Sequence, residues 1–142
     1  MTTKKKIAQI SGAIIGFIVA FGIMFTLFSK ESTEELLSKT AIKINEDCPL
    51  KIDEYTRLDS TSLSAPKTLK YYYTLVQINK NQVNSDTIKR YMSKQIVDQI
   101  KKESNLSGLK EREISFLYSY YDKNGNFIVE FNITPDMYKT LD

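Results

Sequence analysis

The sequence predicts an α+β protein. An N-terminal transmembrane helix leads into a small antiparallel sheet of about four strands, in the order α-β-β-α-β-β, with its helices on one face. Three observations predict this. Residues 7–28 carry no charge, Asn124-Gly125 sits between two alternating apolar runs, and a helical stripe separates that hairpin from an earlier tyrosine-rich strand. Four segments follow: a basic cytoplasmic tail at 1–6, a membrane helix at 7–28, an amphipathic connecting helix at 29–47, and an extracytoplasmic α+β domain at 48–142.

Composition narrows the function classes. Charged residues are 26% and hydrophobic residues 42% of the 142, a globular mixture. The net charge of +3 comes from Lys4, Lys5 and Lys6, because the other basic residues are matched by the acidic ones. A body without basic excess has no means of displacing counterions from phosphate, so no nucleic-acid partner is expected. Cys48 is the only cysteine and there is no histidine. An internal disulfide, a cysteine-based zinc cluster and every nucleophile–histidine arrangement are thereby excluded. No catalytic residue, metal or cofactor is expected.

The first element is "IAQISGAIIGFIVAFGIMFTLF" at 7–28. As a helix it would run for about 30 Å, the thickness of a bilayer's hydrocarbon core. It exceeds the apolar region of a cleaved signal, about 7–15 residues, and ends in bulky Phe25, Leu27 and Phe28. A retained anchor is expected, its lysines cytoplasmic and the remainder outside: a single-pass protein of the inner (cytoplasmic) membrane. Ala8, Gly12, Gly16 and Ala20 recur every four residues. Such spacing lets two helices approach closely, as in a homodimer through this segment, or is simply the small-residue content of membrane helices.

Next, Ser32 and Glu35 have capping-box spacing, and Leu37, Ala41 and Ile44 form one apolar stripe. In "PLKIDEYTRLDS" (49–60) apolar Leu50, Ile52, Tyr55 and Leu58 are threaded between charges, which reads as a first strand with a wet side. Arg57 has Asp53 and Asp59 within reach as partners. Carboxylates Asp53, Glu54 and Asp59 would also suit glycoside hydrolysis or a hard cation, but the spacing of a calcium loop is absent. "SLSAPK" at 62–67 reads as a connection. "KTLKYYYTLVQI" then places Leu69, Tyr71, Tyr73 and Leu75 on one face, with Lys70, Tyr72, Thr74 and Val76 on the other.

Residues 84–104 read as a helix, with Asn84 or Ser85 as cap and a stripe of Ile88, Tyr91, Met92, Ile96 and Ile100. In the closing hairpin, taking Asn124-Gly125 as a two-residue turn sets Tyr120 opposite Val129, Tyr118 opposite Phe131, and Phe116 opposite Ile133. All six face one side, and a one-residue slip would break that agreement. Asn105-Leu106-Ser107 and Asn132-Ile133-Thr134 match a glycosylation triplet, one that arises often by chance.

"CPLKIDEYTRLDS", "LKYYYTL" and "FLYSYYDKNGNFIVEFNI" together resemble a family of small bacterial membrane-anchored or exported proteins without an assigned activity. The pattern is CP-x-x-(I/V)-D-x-x-T-x-L-D, then Y-x-Y-T, then Y-x-Y-x-D-x-x-G, and it spans roughly residues 48–134. The resemblance implies a bacterial source and a tethered α+β domain, with Cys48, Asp53, Thr56, Leu58 and Asp59 at matching positions. Further cysteines belonging to that pattern are missing from this chain.

The function expected is an interaction domain, a bacterial envelope accessory component displaying its sheet to another envelope protein. Tyr72 and Tyr121 lie opposite the predicted core, and exposed aromatic rings favour contact surfaces. Arg57, Asp53 and Asp59 would join them. The bland alternative buries both tyrosines beneath a helix or loop. The rival functions are a small-ligand sensor, with its pocket between the sheet and the helix at 84–104, and an anchored immunity or inhibitor protein.

Overall fold

The computed structural model describes residues 31–139. Its elements are α1 (Thr33–Glu46), β1 (Leu50–Lys51), β2 (Thr56–Ser64), β3 (Thr68–Leu75), α2 (Ser85–Lys102), α3 (Ser107–Glu111), β4 (Ser115–Tyr121), β5 (Phe127–Ile133) and α4 (Pro135–Tyr138). One mixed sheet runs in sequence order from β1 to β5.

The α+β class stands, and two features of the predicted fold are corrected. The sheet has five strands and is not wholly antiparallel, because β3 and β4 pair in parallel from Thr68↔Ser115 to Thr74↔Tyr121. The cause lies in α2. Its 18 residues extend about 27 Å, enough to carry the chain back to the end of the sheet where β3 began. As for the transmembrane helix, no helix among the described residues is long and apolar enough to cross a membrane. The uncharged run at 7–28, and Ala8, Gly12, Gly16 and Ala20 within it, lie outside those residues. An apolar run states only that its surface must be covered, not by what.

Helix α1 starts as its sequence demands. The Glu35 N–H donates to Ser32 Oγ at 3.2 Å, and the Ser32 N–H donates back to the Glu35 carboxylate at 3.4 Å. Its buried stripe includes Leu37, Ala41 and Ile44, so the helix is an integral layer of the core. Near its end Asn45 does unusual work. Its side-chain amide donates to Thr61 O at 2.9 Å and accepts from the Thr61 N–H at 2.7 Å, taking the place of a strand partner on the edge of β2.

The stretch 50–59 divides in two because Asp53 makes a turn there. Its Oδ1 accepts from the N–H groups of Tyr55 and Thr56 at 2.8 and 2.7 Å. Strand β2 then continues through the predicted connection as far as Ser64, with a bulge between Leu58 and Ser60.

In the terminal hairpin, Phe116↔Ile133, Tyr118↔Phe131 and Tyr120↔Val129 pair as the hydrophobic pattern requires. The turn itself is longer than two residues. The Asp122 N–H donates to Asn126 O at 2.8 Å, and Gly125 adopts φ +84, which favours glycine. A bulge at Tyr120/Tyr121 absorbs the extra residue and restores the register.

The core lies between the sheet and its helices. Tyr71, Tyr73, Tyr118 and Tyr120, all buried, form an array on the central strands, with ring centroids 5.0 Å apart for Tyr73–Tyr120 and 5.2 Å for Tyr71–Tyr118. Helix α1 reaches this side of the sheet at Thr61, whose Oγ1 donates to Ala41 O, and α4 reaches it where Tyr138 meets Phe116. Helix α2 reaches it through Ile88 and Met92, beside Leu75, Tyr120 and Val129.

Candidate functional site

With the helices meeting that face, no helix among the described residues covers the opposite one, which carries polar and aromatic side chains, Thr74 and Ser119 buried among them. Registers across β2, β3, β4 and β5 set them in three rows: Arg57, Thr74, Tyr121, Phe127; Ser60, Tyr72, Ser119, Glu130; and Ser62, Lys70, Leu117, Asn132. Tyr72 and Tyr121 are half-buried, and Phe127 is exposed.

These residues brace one another. Asp59, turned by the bulge, accepts from Arg57 Nε at 2.6 Å and from Thr74 Oγ1 at 2.5 Å. The Lys70 ammonium lies 4.8 Å from the centre of the Tyr72 ring and 3.6 Å from the Glu130 carboxylate. Glu130 also accepts from Ser119 Oγ at 2.6 Å, and Ser62 Oγ contacts the Tyr72 hydroxyl at 3.3 Å. Tyr121 and Phe127 meet edge to face at 5.8 Å. Two cations and two anions thus pair in the plane of the sheet. Among the described residues Arg57 is engaged through Nε, leaving its outer nitrogens available to a carboxylate.

Of the residues predicted for contact, Tyr72, Tyr121, Arg57 and Asp59 meet on this face. Asp53 does not, since it serves the β1–β2 turn. The family-pattern residues are structural in setting. Thr56 and Leu58 are fully buried. Cys48 is half-buried, its thiol directed at Ile44 O at 3.3 Å. Burial pushes that thiol's pKa up, helped by Asp47 and Asp59, which disfavours the thiolate.

Sequence reasoning missed Asp122. Its carboxylate accepts from the N–H groups of Lys80, Asn124 and Asn126 at 2.8, 2.9 and 2.8 Å, joining the hairpin loop to the segment after β3. Burial alone would raise its pKa, but these bonds outweigh it and lower the value to about 2. An aspartate just ahead of the Asn-Gly turn was the available signal. Strand alternation gives the phase of Lys70 and Thr74, and the hairpin register gives Ser119 opposite Glu130, but the Lys70–Glu130 contact follows only from the β3–β4 pairing.

The space proposed for a small ligand, between sheet and α2, is almost filled. A residual void of about 10 Å³ is lined by apolar groups, among them Leu75, Ile88, Met92 and Tyr120. A larger groove of about 510 Å³ lies elsewhere, between the start of α1 (Thr33, Glu34, Leu37) and the β2–β3 turn (Leu63 to Lys67). Among the described residues no cluster of three or more His, Cys, Asp or Glu side chains is placed to hold a metal.

A family model for a domain of unknown function, DUF8479, matches residues 25–129. The chain belongs to the DUF8479 family. This family's fold recurs in solved structures of low identity. A candidate secreted protein of Pseudomonas aeruginosa superposes with a TM-score of 0.63 at 14% identity, over 75% of this chain and 93% of that one. The type II secretion system pilotin AspS of Vibrio cholerae gives 0.54 at 11%, covering 74% and 91%. The type II secretion pilotin EpsS of Vibrio vulnificus gives 0.57 at 11%, covering 77% and 94%. No curated protein sequence matches the chain.

The predicted placement as a single-pass inner-membrane protein is corrected by these findings. No described helix suits a bilayer, and the structures that share the fold are a candidate secreted protein and secretion pilotins. That placement rested on the uncharged run and the lysines ahead of it.

Proposed function

We propose that this DUF8479 chain is a non-catalytic interaction domain, an accessory component of a bacterial envelope that binds an envelope protein through the uncovered face of its sheet. The observation carrying the reading is the convergence of Tyr72, Tyr121, Phe127 and the Arg57 guanidinium on that face while the helices serve the other. Aromatic and arginine side chains are enriched at contact surfaces and dominate their energetics. In-plane pairing holds those groups in place beforehand, so less conformational freedom is lost on binding. The fold's occurrence in two secretion pilotins supports an accessory role in the envelope.

The test is recovery of a partner by crosslinking in the native envelope. Replacing both Tyr72 and Tyr121 with alanine is expected to reduce recovery at least tenfold, with folding preserved by circular dichroism. Unchanged recovery would overturn the choice of face. A small-ligand reading would gain support only if a metabolite raised the melting temperature of the double variant and of the parent equally.

A further inference from the structure

The two edges of the sheet are treated differently. On β2, strand β1 pairs with Leu58 and Arg57, the N–H groups of Ile52 and Asp53 reach Thr56 O, and the Asn45 amide occupies both backbone groups of Thr61. Strand β5 has β4 on one side only, and its seven residues include neither proline nor lysine. In an antiparallel ladder alternate residues direct their N–H and C=O away from the neighbour. Among the described residues nothing bonds to those outward groups of β5. A row of this kind is a template for another strand.

We propose that β5 pairs antiparallel with β5 of a second copy of this chain, in the register centred on Phe131. This goes beyond the proposed binding face and uses a different surface. The register is chosen by the residues. Centring on Phe131 sets Val129 opposite Ile133 of the second copy, apolar against apolar, and Glu130 opposite Asn132, a carboxylate against an amide donor. Centring on Glu130 would set two carboxylates directly opposite, which destabilises a ladder. Centring on Asn132 would set Glu130 opposite Thr134, whose carbonyl already accepts from the Met137 N–H at 3.0 Å. Centring on Val129 runs into the bulge at Ile128, where the faces of the two strands cease to match. The chosen pairing makes one ten-stranded sheet, and because side chains alternate through the junction, both uncovered faces lie on the same side.

The register makes a signed prediction, testable by sedimentation equilibrium of the full chain in detergent micelles. Asn132→Asp sets a second carboxylate against Glu130, and Asn132→Lys sets an ammonium there. Each contact occurs twice per dimer, so dimerisation should weaken roughly 2- to 30-fold with the first and tighten by a similar factor with the second. Asn132 is exposed, so both variants should fold. Tyr72→Ala with Tyr121→Ala should leave dimerisation unchanged, which separates this proposal from the binding face. A monomer at every concentration would overturn it. So would equal or same-direction responses to the two substitutions, because this register sets residue 132 against Glu130 and must answer to the sign of charge there.

Discussion

Asp122 shows how one side chain sets the acid stability of the molecule. Its pKa is about 2 in the fold and near 3.8 in an unfolded chain. The unfolded state therefore binds the proton first, and the carboxylate's contribution is complete above pH 3.8 and lost as pH falls towards 2. Asp122→Asn should flatten this limb of the urea midpoint between pH 2 and 5, and an unchanged pH profile would refute the assignment. The buried tyrosines act at the other extreme. Burial raises the phenol pKa of Tyr71, Tyr73, Tyr118 and Tyr120, and raises Tyr138 to about 12. A folded state that holds its protons while the unfolded chain releases them loses stability as pH rises past about 10. Absorbance at the phenolate band should then appear together with unfolding and not before it. Within the array the hydroxyls of Tyr118 and Tyr120 have no hydrogen-bond partner among the described residues. Replacing either with phenylalanine should leave stability unchanged or raise it by about 1–2 kcal/mol in urea unfolding. Alanine there should cost about 3–5 kcal/mol.

Among the elements, α1 and β2 depend on Asn45. Its two hydrogen bonds close the β2 edge, and Asn45→Ala would leave both Thr61 backbone groups without their partner. A loss of about 1–3 kcal/mol is expected by chemical denaturation, with faster amide exchange at Thr61. Unchanged exchange there would contradict the edge-closing role. The terminal hairpin could be read from sequence because the turn residues and the apolar alternation demanded one pairing. The direction of β4 against β3 could not be read that way, since parallel and antiparallel strands share the same two-residue alternation. The deciding fact is the long helical crossover through α2, which is visible in the sequence as a stripe but acts through its length. Tyr72, Tyr121 and Arg57 converge because strand alternation gives their phase, and Asp59 joins them through the bulge beside Leu58. Asp53 departs because a turn, having no phase, takes its carboxylate for backbone donors.

At the scale of the whole domain, the described residues form a layered arrangement in which helices occupy one side of a sheet and the other side carries aromatic rings and paired charges. Apolar core, the Asp53 and Asp122 turns and a closed β2 edge hold the strands beneath that side in place. The proposed role requires that an envelope protein bind this side. Site-specific photo-crosslinking in living cells tests it most directly, with the probe at Tyr121 or Asp59 on the uncovered face and at Lys89 or Gln95 on the exposed side of α2. A discrete crosslinked envelope protein is expected from both face positions and none from the helix. The same adduct from α2, with silence at Tyr121 and Asp59, would contradict it.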